Sequence, residues 1–410
     1  MSQKMTAIER FKKICSFELF DDPFMFSIDS WNETFDRWVS EGMPVKNLDN
    51  KKEVDMHLVG PDDQNEGIIP QGAIGGMGKN NNPPWIVALD PLFECKVLSQ
   101  DSNYFIEVDY DGTIVKRLKH KDVTIPQYLE YPVKDKKSWE QYKKRLNPFS
   151  PGRWPKGWEI MTDDKLQFPI KQNQVNKHFR HRDFPLGMNL LSLFGNLRQY
   201  MGIENLSYAI YDDISLVEEM MEWQTNLAIE MVKKVFDAGV NLEWVWIWED
   251  MAYNKASLVS PAFVKKYMMP RYKRVVEILR NNKVDALILD CDGKIDELMP
   301  LWIDCGINAT FPVERAAGMD PLKMRKQFGK NLIIIGGVDK RALAKGKSEI
   351  EGQLAMVKEL INHGGYFPNC DHLMPPDISY ENVIFFLNGI RKLSKWDDNP
   401  RVIVPGVKNW

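Results

Sequence analysis

The 410-residue sequence lacks the features of membrane, disulfide-bonded and nucleic-acid-binding proteins. Its first twenty residues contain no continuous apolar segment, and no run in the chain approaches the ~18 apolar residues that a membrane span needs. The five cysteines are scattered and odd in number, which favours reduced thiols over a disulfide framework. A formal net charge of −3 provides no basic surface for nucleic acid. We therefore expect a cytoplasmic protein with neither nucleic acid nor a membrane as partner.

The N-terminal part of the chain is rich in loop-forming residues. Residues 51–84 are dense in Gly, Asn and Pro, which predicts long loops. Residues 85–125 instead alternate between apolar and polar side chains, and Asp111-Gly112 lies between two such runs as the signal of a β-hairpin. This part therefore predicts an insertion with hairpins rather than a βα unit.

From about residue 184 onward, short apolar runs alternate with long amphipathic segments. Several of the runs are apolar throughout, as is typical of parallel strands covered on both faces. The six runs are FPLGMN, LEWVWIW, DALILD, INATFPV, NLIIIGG and GGYFPN, and an earlier one, PFMFSI, lies at 23–28. No strand end carries a Gly-x-Gly-x-x-Gly dinucleotide motif, so the pattern favours a (β/α)8 TIM-type barrel over an open doubly wound sheet.

We interpret residues 1–410 as one barrel domain. Its predicted parts are an N-terminal helix and first strand (1–50), a loop-rich and β-hairpin insertion (51–155) and the main βα units (156–400).

The carboxyl ends of these strands carry a concentration of ionisable side chains. In a βα barrel these ends meet at one rim, where the active site lies. In chain order the residues that follow the apolar parts of these runs are Glu249, Asp250, Asp290, Cys291, Asp292, Glu314, Asp339, Lys340, Cys370, Asp371 and His372. Acids, a lysine and a histidine on one rim predict either a metal site or an acid–base site.

Several of these side chains also have a purely structural interpretation. Asp292 precedes KIDELMPLW and could cap a helix there, and Asp339 could likewise begin the next helix. Glu314 and Arg315 could form a local ion pair, and His372 could be a solvated loop residue. The sequence leaves both interpretations open at each position.

Other residues are expected in the core. The alternation of Trp244, Trp246 and Trp248 places three indoles on one strand face, where packing is favoured over stacking on a planar ligand. Three cysteines are predicted as small core residues: Cys15, Cys95 and Cys305.

The segments CDGKIDELMPLWIDCGINATFPVERAAGMD, IIIGGVDKRALAKG and GGYFPNCDHLMPPDISYENVIFFL resemble the uroporphyrinogen decarboxylase superfamily. The branch they resemble contains corrinoid-dependent methyltransferases, and the likeness extends over most of the chain. The resemblance implies a (β/α)8 barrel, in agreement with the strand count.

The zinc methyltransferases of this superfamily carry a His-x-Cys pair after one strand and a further Cys in the last loop. Aligned on the glycine of DCDG, the pair falls on Asp290 and Asp292, and the last Cys falls on His372. Thiolates suit zinc, whereas two carboxylates and an imidazole suit a harder ion, oxygen-ligated zinc or no metal.

Members that decarboxylate uroporphyrinogen carry arginines near the first strand, which meet the substrate's carboxylates. The corresponding segment here, PFMFSIDSWNE, contains an Asp and a Glu but no arginine. An acidic rim would repel a polyanionic tetrapyrrole, so the resemblance favours methyl transfer.

The leading hypothesis is a methyltransferase that moves a methyl group from a small donor to the cobalamin of a separate corrinoid protein. A methoxylated donor, and thus O-demethylation, fits the oxygen and imidazole side chains at the former zinc-ligand positions. The predicted catalytic residues are Asp290, Asp292 and His372, as proton donors or metal (zinc) ligands, with Glu249 and Glu314 as second choices. The residues predicted to bind the substrate are Asp339, Lys340, Asp250 and Trp248. The chain has no Asp-x-His-x-x-Gly corrinoid-binding motif, so the cobalamin is expected to come with the partner.

Two other functions stay open. One is a decarboxylase acting on a porphyrinogen-like or other carboxylic acid, and the other is a catalytically silent barrel that binds a tetrapyrrole or corrinoid. A homodimer is compatible with each of them.

Overall fold

The computed structural model describes residues 5–19, 30–43, 55–56, 89–119, 125–150, 153, 185, 187–190, 192–237, 239–393 and 405–406. The predicted strand at 23–28 and most of the predicted loops at 51–84 lie outside these residues.

The described strands, in chain order, are β1 (Asp55–Met56), β2 (Lys96–Gln100), β3 (Tyr104–Val108), β4 (Ile114–Leu118), β5 (Gln127–Glu130), β6 (Gly187–Leu190), β7 (Trp244–Trp248), β8 (Ala286–Asp290), β9 (Ala309–Phe311), β10 (Ile333–Ile335), β11 (Tyr366–Phe367) and β12 (Pro405–Gly406). The α-helices are α1 (Ala7–Cys15), α2 (Asn32–Ser40), α3 (Lys136–Tyr142), α4 (Phe194–Met201), α5 (Ile203–Asp212), α6 (Ile214–Asp237), α7 (Pro261–Phe263), α8 (Met269–Asn281), α9 (Met299–Asp304), α10 (Pro321–Phe328), α11 (Lys340–Lys345), α12 (Lys347–His363) and α13 (Tyr380–Leu393).

Strands β6 to β11 form one parallel sheet in sequence order, each hydrogen-bonded to the next. Every crossover between them contains at least one helix, which is the connection that parallel neighbours require. The six βα units predicted after residue 184 are therefore confirmed. Ser30 adds an isolated parallel bridge to Met374, beyond β11, which is the side on which a first barrel strand would lie.

The insertion forms a separate antiparallel sheet in the order β2-β3-β4-β5. The hairpin predicted at Asp111-Gly112 is confirmed between β3 and β4, with residues 109–113 as its connection. Asp111 is buried and accepts hydrogen bonds from the Thr113 backbone and hydroxyl. Gln199 of α4 donates to the other Asp111 oxygen at 2.9 Å, so the hairpin is joined to the barrel.

A compact cluster of apolar side chains from α1 and from strands β7 to β11 forms a second buried core. Phe11 of α1 packs on Phe367 with ring centroids 5.4 Å apart, and Trp244 is buried in the same cluster. The other buried members are Ile14, Phe17, Ala286, Ile288, Ala309, Ile333 and Ile335. Burying each large apolar side chain stabilises the fold by about 1.5–3 kcal/mol, so this cluster fixes α1 against the parallel sheet. The core position predicted for Trp244 is confirmed.

The cysteines differ in environment. Cys305 is buried, as predicted, and Cys15 is partly buried and packs against the α1 cluster. Cys95 is exposed beside β2, so its predicted core position is wrong. A free cysteine is usually buried as a small hydrophobic residue. This tendency does not hold beside β2, because every residue of that strand is exposed. All five thiols are free.

No helix in the described part of the chain is both long enough and apolar enough to cross a membrane.

Candidate active site

The carboxyl ends of β7, β8 and β9 are aligned by their register. Trp248 pairs with Asp290, and Asp290 pairs with Phe311. Beyond the strands, the backbone N–H groups of Glu249 and Asp250 lie 2.9 and 3.4 Å from the Asp290 carbonyl oxygen. The residues that follow three separate apolar runs are thus brought to one edge, as the rim prediction requires.

Asp290 is a partly buried acid set among aromatic rings. The indole Nε1 of Trp246 donates to Asp290 Oδ2 at 2.9 Å, and the Trp246 ring packs on Phe311 with centroids 5.0 Å apart. Burial raises the pKa of Asp290 well above its ordinary value, and the negative charges of Asp292 and Asp250 raise it further. Asp290 is therefore suited to keep its proton to a higher pH than an ordinary aspartate. Trp246 thus serves the site as a hydrogen-bond donor as well as by packing.

Asp292 and His372 form a pair across the rim. Asp292 Oδ2 lies 3.2 Å from His372 Nε2, and the two side chains are 37% and 31% exposed. The hydrogen bond to Asp292 raises the pKa of His372, against its partial burial. The capping interpretation of Asp292 is wrong, because α9 begins at Met299 and the residue before it is Leu298. The segment in between stays a loop, which leaves the Asp292 carboxylate free to face His372.

Replacing Asp292 with Asn is expected to lower the pKa of His372 towards 6.5, because the partner that favours the imidazolium is lost. Since the folded-state pKa is raised, the pair stabilises the fold fully below the ordinary histidine pKa, and this contribution disappears as the pH rises through the raised value. Solvent screening of this exposed pair limits the effect to about 1 kcal/mol or less. A proton NMR titration of the six histidines measures the shift. An unchanged His372 titration would show that the pair does not form in solution.

Asp250 connects this pair to a neighbouring helix. Its Oδ1 accepts a hydrogen bond from the Asp292 backbone N–H at 3.0 Å. Arg198 donates through Nη1 to the Asp250 carbonyl oxygen and through Nη2 to Asp250 Oδ2. Asp250 has φ +46°, a left-handed conformation that is uncommon outside glycine and costs on the order of 1–3 kcal/mol. Val313, beyond β9, has φ +62°. Backbone strain of this kind at two strand ends is typical of functional sites.

Glu249 holds the start of α4 rather than facing the rim. Its side chain is fully buried, and its two oxygens accept the backbone N–H groups of Leu193, Phe194 and Gly195 at 2.8–2.9 Å. Burial raises the pKa of Glu249 to about 7, against the three N–H donors, which lower it. The structure therefore gives Glu249 a structural role, and its catalytic role stays a prediction that these contacts do not support.

Gly195 allows α4 to approach the end of β7 closely. A Cβ at this position would lie 2.3 Å from the Trp248 carbonyl oxygen and 3.1 Å from that of Glu249. Gly352, within α12, has open space around the same position and offers a matched control.

Gly195→Ala is expected to destabilise the fold by about 1–3 kcal/mol, the usual range for overpacking, because backbone atoms cannot move aside cheaply. Gly352→Ala should instead stabilise it by about 0.5–1 kcal/mol, since alanine favours a helix. Urea unfolding of both variants provides the comparison. Equal effects in the two variants would contradict the close approach at Gly195.

Glu314 and Cys291 both accept backbone hydrogen bonds near the rim. Glu314 Oε2 accepts the Gly293 N–H at 2.8 Å, and Cys291 Sγ accepts the Met251 N–H at 3.3 Å. The predicted ion pair between Glu314 and Arg315 is wrong, because Arg315 Nη1 donates to the Met319 carbonyl oxygen and lies 3.7 Å from Asp320. Cys291, which lies between Asp290 and Asp292 in the sequence, therefore connects the loops after β7 and β8.

Three further residues organise the far side of the rim. Asp339 is the N-cap of α11 and also pairs with Arg341, which confirms its capping interpretation. Asp371 is fully buried and accepts the N–H groups of Arg315 and Lys340, so it ties together the loops after β9 and β10. Burial raises the pKa of Asp371. The Lys340 side chain is half-buried, and its charge acts on His372.

Sequence reasoning missed Arg198 altogether. Its segment, FGNLRQYM, has no motif that distinguishes Arg198 from an ordinary helix arginine. Only the fold brings it to Asp250, and there its guanidinium also lies 4.9 Å from the centre of the Trp248 ring.

A metal does not fit the three predicted ligands as they are arranged. Asp292 and His372 are hydrogen-bonded to each other, and an oxygen of Asp290 is occupied by Trp246. Among the residues described above, no group of three or more His, Cys, Asp or Glu side chains could hold a metal ion. The metal assignment of Asp290, Asp292 and His372 is therefore not supported, and their arrangement suits acid–base chemistry.

Comparisons with known proteins agree with this fold. A family model described as uroporphyrinogen decarboxylase (URO-D) matches residues 162–393, more than half of the chain. A methyltransferase from Methanosarcina mazei is similar in structure, with a TM-score of 0.52 and 12% sequence identity, over 95% of this chain and 99% of that one. A B12-independent methionine synthase from Shewanella sp. W3-18-1 matches with a TM-score of 0.37 and 12% identity, over 56% of this chain and 68% of that one. No curated protein matches the chain.

Proposed function

We propose that this chain, which belongs to the uroporphyrinogen decarboxylase (URO-D) family, is a methyltransferase that demethylates a small methoxylated compound. The methyl acceptor in this proposal is the cobalamin of a separate corrinoid protein. The proposal is supported by the acid–base arrangement at the strand ends and by the family resemblance of the motifs that carry it.

The observation that carries the proposal is the environment of Asp290. A methyl ether is a poor methyl donor, because the alkoxide or phenolate that leaves is unstable without a proton. Asp290 is a partly buried acid with one oxygen fixed by Trp246, so its other oxygen is available to carry a proton. When the methyl group passes to the acceptor, the methyl C–O bond breaks and Asp290 protonates the oxygen that leaves. The reduced corrinoid supplies the nucleophile for this step.

The Asp292–His372 pair has the complementary role of returning a proton to the site. Its charges act on the same region, since Asp292 raises the pKa of Asp290. The pair is about one-third exposed and can exchange protons with water, whereas Asp290 is more enclosed. One proton from solvent for each methyl group transferred therefore restores the proton on Asp290, and one reduced corrinoid is consumed as the methyl acceptor.

A decarboxylase of a carboxylic acid is the second candidate, and the description of the matching family favours it. A protonated Asp290 could also deliver a proton to the carbanion that remains after carbon dioxide is lost. The two functions differ in their requirement for a corrinoid protein.

The deciding experiment incubates the purified chain with a reduced corrinoid protein and a panel of methoxylated compounds. We expect the absorption of the reduced corrinoid to disappear with at least one donor and the demethylated product to appear in equal amount by mass spectrometry. The control reactions omit the chain or the corrinoid protein. Carbon dioxide release from an acid without any corrinoid protein, and no demethylation, would establish the decarboxylase instead. Binding of a donor without turnover would indicate a silent barrel.

A further inference from the structure

We infer that Arg198 is a positioning residue that holds the Asp292–His372 pair in place through Asp250. Three contacts join α4 to the far side of the rim. Arg198 Nη2 lies 3.0 Å from Asp250 Oδ2, Asp250 Oδ1 accepts the Asp292 N–H at 3.0 Å, and Asp292 Oδ2 lies 3.2 Å from His372 Nε2. The catalytic consequence of this inference rests on the proposed function, whereas its geometry does not.

The side chain at position 198 must be an arginine for this purpose. One Nη donates to the Asp250 carbonyl oxygen at 2.7 Å and the other to Asp250 Oδ2, so a planar fork contacts the backbone and the side chain of one residue together. The guanidinium also lies over the Trp248 ring, 4.9 Å from its centre. A lysine has a single charged nitrogen and cannot make both hydrogen bonds in this geometry.

The conformation of Asp250 explains why it needs such a partner. Its positive φ turns the chain sharply after β7, and in this conformation the carboxylate can receive Arg198 on one oxygen and the Asp292 backbone on the other. The conformation is strained for an aspartate, so contacts from outside the turn must maintain it. Arg198 supplies two of these contacts and is 24% exposed, so water competes only partly.

The start of α4 is held by contacts other than those of Arg198. Glu249 holds the start of this helix through three backbone N–H groups, one turn before Arg198. Removing the guanidinium should therefore leave the helix in place while releasing Asp250. This separation allows a positioning role to be distinguished from a role in stability.

The experiment compares Arg198→Ala and Arg198→Lys with wild type, and Arg271→Ala serves as the control. Arg271 makes comparable ion pairs with Glu218 and Glu222 of α6, and none of its described contacts is with Asp250, Asp292 or His372. In the methyl-transfer assay we expect Arg198→Ala to reduce kcat by about 10–100-fold and KM to change little, because Asp292 and His372 act on the reaction rather than on binding. Arg198→Lys should be nearly as slow, and Arg271→Ala should react at the wild-type rate.

Added guanidinium ion provides a readout that a structural role would not produce. Millimolar guanidinium should restore part of the rate of Arg198→Ala, whereas sodium chloride at the same ionic strength should not. Wild-type rates in both Arg198 variants would overturn the inference. So would a loss of rate that guanidinium does not restore and that is matched by an equal loss of thermal stability.

A second measurement needs no activity at all. The nitrogen-15 chemical shifts of the His372 ring should change in Arg198→Ala in the same direction as in Asp292→Asn, and should be unchanged in Arg271→Ala. If wild type transfers no methyl group from any donor, the proposed function fails while this test still stands. If the His372 shifts of Arg198→Ala equal those of wild type, the positioning role fails whatever the reaction is.

Discussion

Replacing Asp290 with Asn should reduce methyl transfer by about 10²–10⁴-fold, the usual contribution of a general acid. Asparagine keeps an oxygen that can accept the Trp246 hydrogen bond but has no proton to deliver to the leaving oxygen. The rate is measured with saturating donor and reduced corrinoid protein. Asp304→Asn is a matched control, because Asp304 is an exposed acid of α9 that pairs only with Lys273 among its described contacts.

Although Asp290→Asn should slow methyl transfer, it should make the fold more stable than wild type as the pH rises. Burial raises the folded-state pKa of Asp290, so its effect on the fold is most favourable below the ordinary carboxyl pKa of ~3.9 and is lost as the pH rises through the raised value. Asparagine cannot ionise, so Asp290→Asn should become progressively more stable relative to wild type as the pH increases through this window. Urea unfolding at several pH values measures the difference. If Asp290→Asn transfers methyl groups slowly but its free energy of unfolding depends on pH as that of wild type does, Asp290 is not the buried neutral acid that the mechanism requires.

Replacing Glu249 with Ala should destabilise the fold by roughly 3 kcal/mol or more, because three buried backbone N–H groups lose their acceptor. Each unsatisfied buried donor costs about 1–3 kcal/mol. We expect the start of α4 to open first, so amide hydrogen exchange should accelerate at residues 193–195 more than in α12. Glu297→Gln is the control, since Glu297 is exposed and bonds only to Ser257 among its described contacts.

The pH dependence of the free energy of unfolding separates the effect of the charge on Glu249 from the effect of its hydrogen-bond acceptors. Because its folded-state pKa is raised to about 7, its contribution to stability is fully present below the ordinary glutamate pKa of ~4.3 and is lost as the pH rises to about 7. This loss amounts to about 3 kcal/mol by linkage. Glu249→Gln keeps an acceptor oxygen and should lack this component. If Glu249→Gln unfolds with the same pH profile as wild type, the carboxyl is already ionised at low pH and the three N–H donors outweigh its burial.

The sequence predicted the parallel strands because burial on both faces leaves a direct signature. A strand covered by helices on each side must be apolar throughout, as in ALIL before Asp290 and III at β10. The residues that end such runs lie on one edge of a parallel sheet, so Asp290, Asp292 and His372 could be placed together without coordinates. The prediction failed at Cys95, because it lies beside β2, a strand that is exposed on both faces.

The roles of individual rim residues could not be predicted in the same way. Glu249 and Asp250 are adjacent acids after one strand. Nothing in the sequence shows that Glu249 is buried and accepts the N–H groups at the start of α4, whereas Asp250 pairs with Arg198. The distinction arises from the direction of each side chain, and the positive φ of Asp250 sets it.

The sequence by itself therefore determined the parallel strands, the family and the edge on which the acids gather, because hydrophobic periodicity and strand direction are properties of local stretches of chain. Only the tertiary structure decided that Asp290 lies against Trp246, that Asp292 faces His372 instead of capping a helix, and that Arg198 reaches Asp250. These contacts join residues 44 to 80 positions apart, and burial by the surrounding elements sets whether each acid keeps its proton.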